Sequence, residues 1–116
     1  TGFHLPDGSV LCPDASWVRR ERWEALPREA REALAPLCPD AVFEVRSPSQ
    51  TLAELRVKVQ AYLANGARLA VLLDPETREV EVYRPGRDPV RQEDPAAVPL
   101  DPELPGFRLE PDPVFS

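Results

Sequence analysis

With 116 residues the chain has room for one modest core and not two, and no apolar run approaches the roughly 20 residues of a membrane span. Its net charge of −6 lies wholly in the C-terminal part: residues 1–70 balance nine acids with nine bases, whereas residues 71–116 carry eleven acids and five bases. That acidity weighs against a nucleic-acid binder with a broad basic footprint, and two cysteines with the single His4 are too few for a disulfide framework or a zinc site. Cys12 and Cys38 read as ordinary buried thiols. No signal-peptide pattern is present, so a cytoplasmic protein is the expectation. The chain has no Met even at position 1, from which we expect that something upstream of Thr1 has been removed.

Taken in order, Phe3 to Leu5 and Val10 to Cys12 flank Pro6-Asp7-Gly8-Ser9 and predict a hairpin, because the proline presets one dihedral and the glycine accepts positive φ. The second arm runs through Pro13 into Asp14–Val18, where Asp14, Ser16 and Val18 share one face and Ala15 and Trp17 the other. From Arg20 to Leu37 the pattern is helical. It should divide in two, since Pro27 suits the first turn of a second helix and breaks the interior of a continuous one. The Arg19, Arg20 and Arg22 cluster reads either as a solvated helix face or as a contact for a nucleic-acid backbone.

Cys12-Pro13-Asp14-Ala15 then returns as Cys38-Pro39-Asp40-Ala41, and each copy sets an aspartate at the entrance of an apolar strand. Ala41 to Val45 is such a strand, interrupted by Glu44. An ionised carboxylate buried there costs several kcal/mol unless a cation, a metal or hydrogen bonds hold it. Alternation sends Val42, Glu44 and Arg46 to one face and Ala41, Phe43 and Val45 to the other. A metal-binding carboxylate and a structural Glu44–Arg46 pair both fit this placement. Asp14, Asp40 and Glu44 together make three carboxylates able to converge at one end of adjacent strands, the hard oxygen donors that suit magnesium, unless the aspartates only cap turns. Asp14 is preferred over Asp40, which lies one pleat outside the apolar run.

After a Ser-Pro-Ser turn, Leu52, Leu55, Val59, Tyr62 and Leu63 recur at helical spacing, with Thr51 or Ser49 as N-cap and Gly66 ending the last turn. Lys58 falls on the border of that apolar arc. Thirteen arginines accompany this one lysine, so the compact ammonium is either a chance survivor that snorkels or a group the chemistry needs. Beside Glu44 we read it as the latter. Leu69 to Leu73 then predicts a buried strand. Glu79 to Tyr83 predicts a half-exposed strand whose acids face solvent, and we assign them no chemistry. Eight of the fifteen prolines fall from Pro85 onward, so residues 85–116 should form a mostly extended tail, with isolated β pairs near Val90 and Val98 and anchors at Leu104, Phe107 and Leu109.

The succession of Pro13-Asp14, Glu44-Val45-Arg46-Ser47-Pro48-Ser49, Lys58 with Tyr62 before Asn65-Gly66-Ala67, and a buried strand ending in Asp74-Pro75 resembles the Uma-type restriction endonuclease branch of the PD-(D/E)xK nuclease superfamily. The likeness runs from Thr1-Gly2-Phe3 to Leu104-Pro105-Gly106-Phe107. It implies an α/β (α+β) restriction-endonuclease-like fold, a mixed β-sheet flanked by helices, with residues 1–116 as one domain lacking the usual N-terminal part. It further implies Asp14 as the first metal-binding acid and Glu44 as the second. Arg46 stands where the superfamily lysine usually does, and Lys58 would supply that lysine from the following helix. The implied cofactor is Mg2+ or Mn2+, with a backbone carbonyl near Val45 as a further ligand. The implied partner is DNA, met by Arg46 or by Arg19 and Arg20. Members of the branch are longer at the N-terminus, Gln50 stands where an acid is common, and Val71 where an aromatic residue is common.

The expected function is metal-dependent hydrolysis of DNA phosphodiester bonds, with no membrane association and with a homodimer as a further expectation. The alternative of another class is an inactive or truncated nuclease-fold remnant serving as a dimerisation or binding module. A third reading is a small acidic interaction domain whose Glu44–Arg46 pair is structural.

Overall fold

The computed structural model describes residues 2–32 and 34–116. Thr1, where the resemblance begins, and Ala33, inside the second expected helix, lie outside the described residues. A hairpin of β1 (Phe3–His4) and β2 (Val10–Leu11) opens the chain, and Gly8 supplies the positive φ of +91° that its turn needs. Five strands then form one sheet in the spatial order β3 (Ala15–Trp17), β4 (Ala41–Val45), β5 (Leu69–Asp74), β6 (Glu79–Tyr83), β7 (Val90–Glu93). Every pairing is antiparallel except β4 with β5. A parallel pair needs a crossover, and the helix α3 (Leu52–Ala64) provides it. Two short helices, α1 (Arg20–Glu24) and α2 (Arg28–Glu32), connect β3 to β4.

Alternation along the strands divides the core in two. On one face Val42, Ala70, Leu72 and Tyr83 lie under Leu55, Val59 and Tyr62 of α3, joined by Phe3 and Leu5 of the hairpin. On the other, Ala41, Val71, Leu73, Val80 and Val82 are covered by Val98, Leu100, Leu104 and Phe115 from the C-terminal segment. Burying each Leu or Val of this kind is worth roughly 1.5–3 kcal/mol, so neither face is stable without its cover. The segment supplying the second cover holds a small sheet of β8 (Val98–Pro99) and β9 (Arg108–Leu109), then the helical turn α4 (Asp112–Phe115).

The helix α3 starts and stops where its sequence directs. The Thr51 hydroxyl accepts from the Glu54 amide while the Glu54 carboxylate accepts from the Thr51 amide, and Gly66, with φ of +114°, turns the chain out after Asn65. Asn65 in turn ties the hairpin down. Its side chain accepts from the Asp7 amide at 3.0 Å and donates to the Asp7 carboxylate at 3.1 Å.

Four expectations change. The expected second helix does not run to Leu37: its described part is Arg28–Glu32, and at Ala35 the chain pairs in parallel with Phe3, where the following Pro36 disfavours helical backbone. Residues 85–116 are not simply an extended tail, since β7 completes the main sheet alongside β6. Phe107 is 45% exposed and does not anchor that segment, whereas Leu100 and Phe115 do. Cys12 is exposed, and only Cys38 is buried, with its thiol raised to about 11 chiefly by desolvation. Among the described residues no helix is long and apolar enough to cross a membrane.

Candidate functional site

The antiparallel pairing of β3 with β4 sets Ala15 opposite Phe43, and one step further along the same register Asp14 comes opposite Glu44. Directly opposed residues project to the same face, so two carboxylates from distant parts of the chain meet at the end of the sheet. Asp14 is exposed and Glu44 is 1% exposed. One Asp14 oxygen, Oδ2, accepts from the Val45 amide at 2.7 Å, which holds this carboxylate against the rim of β4.

Lys58 reaches the same place from α3. Its Nζ donates to Glu44 Oε1 at 3.1 Å and to the Cys12 carbonyl at 2.9 Å, and the side chain retains 24% exposure. The ammonium therefore bridges the buried carboxylate, the strand entrance and solvent. The second oxygen, Glu44 Oε2, is buried with no hydrogen-bond partner, as is the hydroxyl of Tyr62. Desolvation raises the Glu44 carboxyl above its ordinary 4.5, the Lys58 hydrogen bond and charge pull it partly back, and the nearby Asp14 charge raises it again. An electrostatic cost of this form is relieved by a proton or by a further cation.

Whether a metal fits can be judged from the donors. Among the described residues no group of three or more His, Cys, Asp or Glu side chains gathers in one place. Magnesium, however, is commonly held by one or two carboxylates, with water and phosphate oxygens completing its shell. Two adjacent carboxylates, one with an unpartnered buried oxygen, match that demand.

The other nominated residues lie apart from this centre. Asp40 does not converge with Asp14 and Glu44: it sits at the opposite end of β4, where Oδ2 accepts from the Arg19 amide at 2.9 Å and pairs with Arg22 at 2.8 Å. Four residue steps along the chain separate it from Glu44, roughly 13 Å of rise. Arg46 shares the Glu44 face by alternation yet makes no pair with it. Its guanidinium is 12% exposed and is taken up by Asp74 at 3.0 Å, by Glu76, and by the Gln50 carbonyl at 3.0 Å. The structural Glu44–Arg46 pair is thus replaced by Glu44–Lys58 and Arg46–Asp74. Burial works to raise the Asp74 carboxyl, but the Arg46 hydrogen bond and the Glu76 amide outweigh it and hold Asp74 low. Gln50 is used locally, its Oε1 accepting from the Ser47 amide at 3.1 Å and so closing the Ser-Pro-Ser turn. Arg19 and Arg20 are exposed at the start of α1, beyond the far end of β3, and Arg20 lines a hollow of about 390 Å³ with Phe3, Trp23 and Glu24.

Glu81 overturns the solvent-facing reading of β6. The register carries the Glu44 row across the sheet, Glu44 to Leu72 to Glu81 to Arg91, and all four lie on the α3 side. Glu81 is 5% exposed, held by Arg56 at 3.1 and 2.5 Å and by the Tyr83 hydroxyl, with Arg91 at 3.5 Å. Burial pushes its carboxyl up, but those bonds win and hold it below 4.5. Thus α3 rides over β5 with one carboxylate on each flank, Lys58 on Glu44 and Arg56 on Glu81. The Glu81 flank is fully paired and the Glu44 flank is not.

A family model described as "Putative restriction endonuclease" (Uma2) matches residues 1–112. Among solved structures the fold is similar to that of a putative nuclease belonging to DUF820 from Anabaena variabilis, with a TM-score of 0.75 and 25% sequence identity. The match covers 93% of this chain and 61% of that one, so this chain spans less than two thirds of the length of that protein. No curated protein matches the chain.

Proposed function

The chain belongs to the Uma2 family, and from that premise we propose that it is an endonuclease hydrolysing DNA phosphodiester bonds with Mg2+ or Mn2+. The observation carrying this reading is the Asp14–Glu44–Lys58 arrangement. Glu44 is buried, has one cationic partner, and keeps one oxygen without any. A buried pair of this kind commonly contributes less stability than apolar residues of the same volume would, and such costs gather at functional sites.

In this reading Asp14 and Glu44 hold the metal, which supplies Lewis acidity toward a phosphoryl oxygen and a bound water of lowered pKa. Asp14 offers its free oxygen while the Val45 amide steadies the other. Lys58, partly in solvent and steadied by the Cys12 carbonyl, meets the negative charge that develops on the phosphoryl oxygens or orients the attacking water. Arg19 and Arg20 follow the far end of β3, five and six residues on from Asp14 and roughly 15–20 Å away along the chain, a reach suited to flanking phosphates and not to the scissile one. Arg46, being occupied, drops out of the set of backbone contacts.

Calorimetric titration of Mg2+ and Mn2+ into the chain and into Glu44→Gln, paired with DNA cleavage assays, tests the proposal. Binding should appear in the parent and vanish in the variant, and Lys58→Ala should lower cleavage by about 100-fold or more. If Glu44→Gln and Lys58→Ala both cut DNA as fast as the parent, the assignment fails.

A further inference from the structure

Two polar atoms in the described core are sealed from water and left without partners, Glu44 Oε2 and the Tyr62 hydroxyl. A buried polar atom left unpaired is costly and uncommon, so two in one region call for a joint explanation. The helix geometry brings them together. Tyr62 follows Lys58 by four residues, which sets both on one flank of α3, and helical side chains lean back over the preceding turn. Lys58 already donates to Glu44 Oε1. Leaning back over the turn that carries Lys58, the phenol of Tyr62 lies on the flank of α3 that serves Glu44. Tyr62 has 0% exposure, and after burial the Glu44 charge is the strongest influence raising its hydroxyl's pKa.

We propose that Tyr62 is a positioning residue for Glu44, its hydroxyl donating through one enclosed water to Oε2 while Lys58 holds Oε1. Enclosed waters characteristically join buried polar groups that lack other partners. A carboxylate oxygen has two lone-pair directions, so Oε2 can accept from that water and still serve as a metal donor. The two donors, four residues apart on one helix, orient a carboxylate that would otherwise turn about its terminal bond. Ligating carboxylates are usually steadied by such outer partners, whose loss costs 10- to 100-fold in metal affinity. The consequence for metal affinity rests on the metal-site reading above; the hydrogen bond itself does not.

The test is made first without metal. The chain has two tyrosines, and Tyr83 donates to Glu81, so it serves as the internal control. With 13Cζ-labelled tyrosine, the Tyr62 resonance, assigned in Tyr83→Phe, should shift when Glu44→Gln is introduced, while in the parent background the Tyr83 resonance stays in place. A Tyr62 resonance indifferent to Glu44→Gln overturns the hydrogen bond. Tyr62→Phe, which keeps the ring and removes only the hydroxyl, should then weaken Mg2+ binding by about 10- to 100-fold in calorimetry. If the parent binds Mg2+ and Tyr62→Phe binds it as tightly, the positioning role is overturned and the metal reading stands. If the parent binds neither Mg2+ nor Mn2+, the metal reading falls, and the hydrogen bond is decided by the tyrosine resonance alone.

Discussion

A single side chain, Lys58, separates a buried carboxylate that folding tolerates from one it would reject. Lys58→Ala leaves Glu44 buried beside Asp14 with no cation, and we expect a loss of about 3 kcal/mol near neutral pH. That loss should shrink on acidification, because a protonated Glu44 needs no ammonium. The Glu44 carboxyl titrates above its ordinary 4.5, pushed up first by burial, so the folded state holds that proton more tightly than the unfolded chain does. The stability this gives is fully present below 4.5 and is lost as pH rises through the raised value. Glu44→Gln should accordingly unfold at a higher temperature than the parent at neutral pH, with the advantage vanishing in acid. Thermal unfolding followed by circular dichroism across that range checks both variants. A Glu44→Gln protein less stable than the parent at neutral pH would mark Glu44 as a structural residue. Glu44 was legible as a candidate because a lone acid in an apolar strand demands a reason, and Lys58 because it borders the apolar arc of its helix.

At the scale of elements, α3 sets the geometry of the site. Its capping box fixes where the first turn begins, and thereby the height at which Lys58 meets Glu44. Thr51→Ala should cost about 1 kcal/mol in chemical denaturation. The two flanks of the helix offer an internal comparison, since Arg56 on Glu81 mirrors Lys58 on Glu44. Arg56 is 39% exposed and Glu81 keeps Tyr83 and Arg91, so Arg56→Ala should cost only about 1 kcal/mol once solvent screening is allowed for. The sign of its pH dependence is opposite to that of the Glu44 pair. Glu81 titrates below 4.5, so its pairing contributes stability above 4.5 that is lost as pH falls through the lowered value. DNA cleavage by Arg56→Ala should match the parent while cleavage by Lys58→Ala falls; equal losses would place the chemistry on both flanks. Alternation predicted that Glu79 and Glu81 share a face. It could not say that α3 and Arg91 cover Glu81, because cover is supplied by elements distant in sequence.

For the molecule as a whole, charge and packing pull apart. A chain of net charge −6 meets a polyanion only through local basic groups, and of the arginines proposed for that contact Arg19 and Arg20 are exposed. The Arg19→Ala/Arg20→Ala double variant should weaken DNA binding alike across sequences and reduce the salt slope by about 2. An unchanged slope in fluorescence anisotropy would remove both residues from the DNA path. The C-terminal segment matters for a different reason, as it covers the sheet face opposite α3. Leu100, 0% exposed, should lose about 2–5 kcal/mol on substitution by alanine, comparable to a residue of the central strands.

From sequence alone came the features that depend on near neighbours: the hairpin turn at Gly8, the strand Ala41–Val45 with its two faces, the Thr51 cap and the Gly66 stop. These follow from φ preferences, pleat alternation and helical periodicity, which act over a few residues, whereas the mixed sheet of the nuclease type was implied by the resemblance to the Uma-type branch. The tertiary structure alone decided which carboxylates meet. Asp14 and Asp40 have the same Cys-Pro-Asp-Ala surroundings, yet the antiparallel register of β3 on β4 brings Asp14 to Glu44 and leaves Asp40 with Arg22 at the other end of the strand. It also decided that Arg46 turns to Asp74, that Glu81 is buried, and that the Tyr62 hydroxyl is buried without a direct protein partner. Periodicity determines which side chains share a face, but register and cover are set by contacts between segments tens of residues apart, and those arise only when the chain packs.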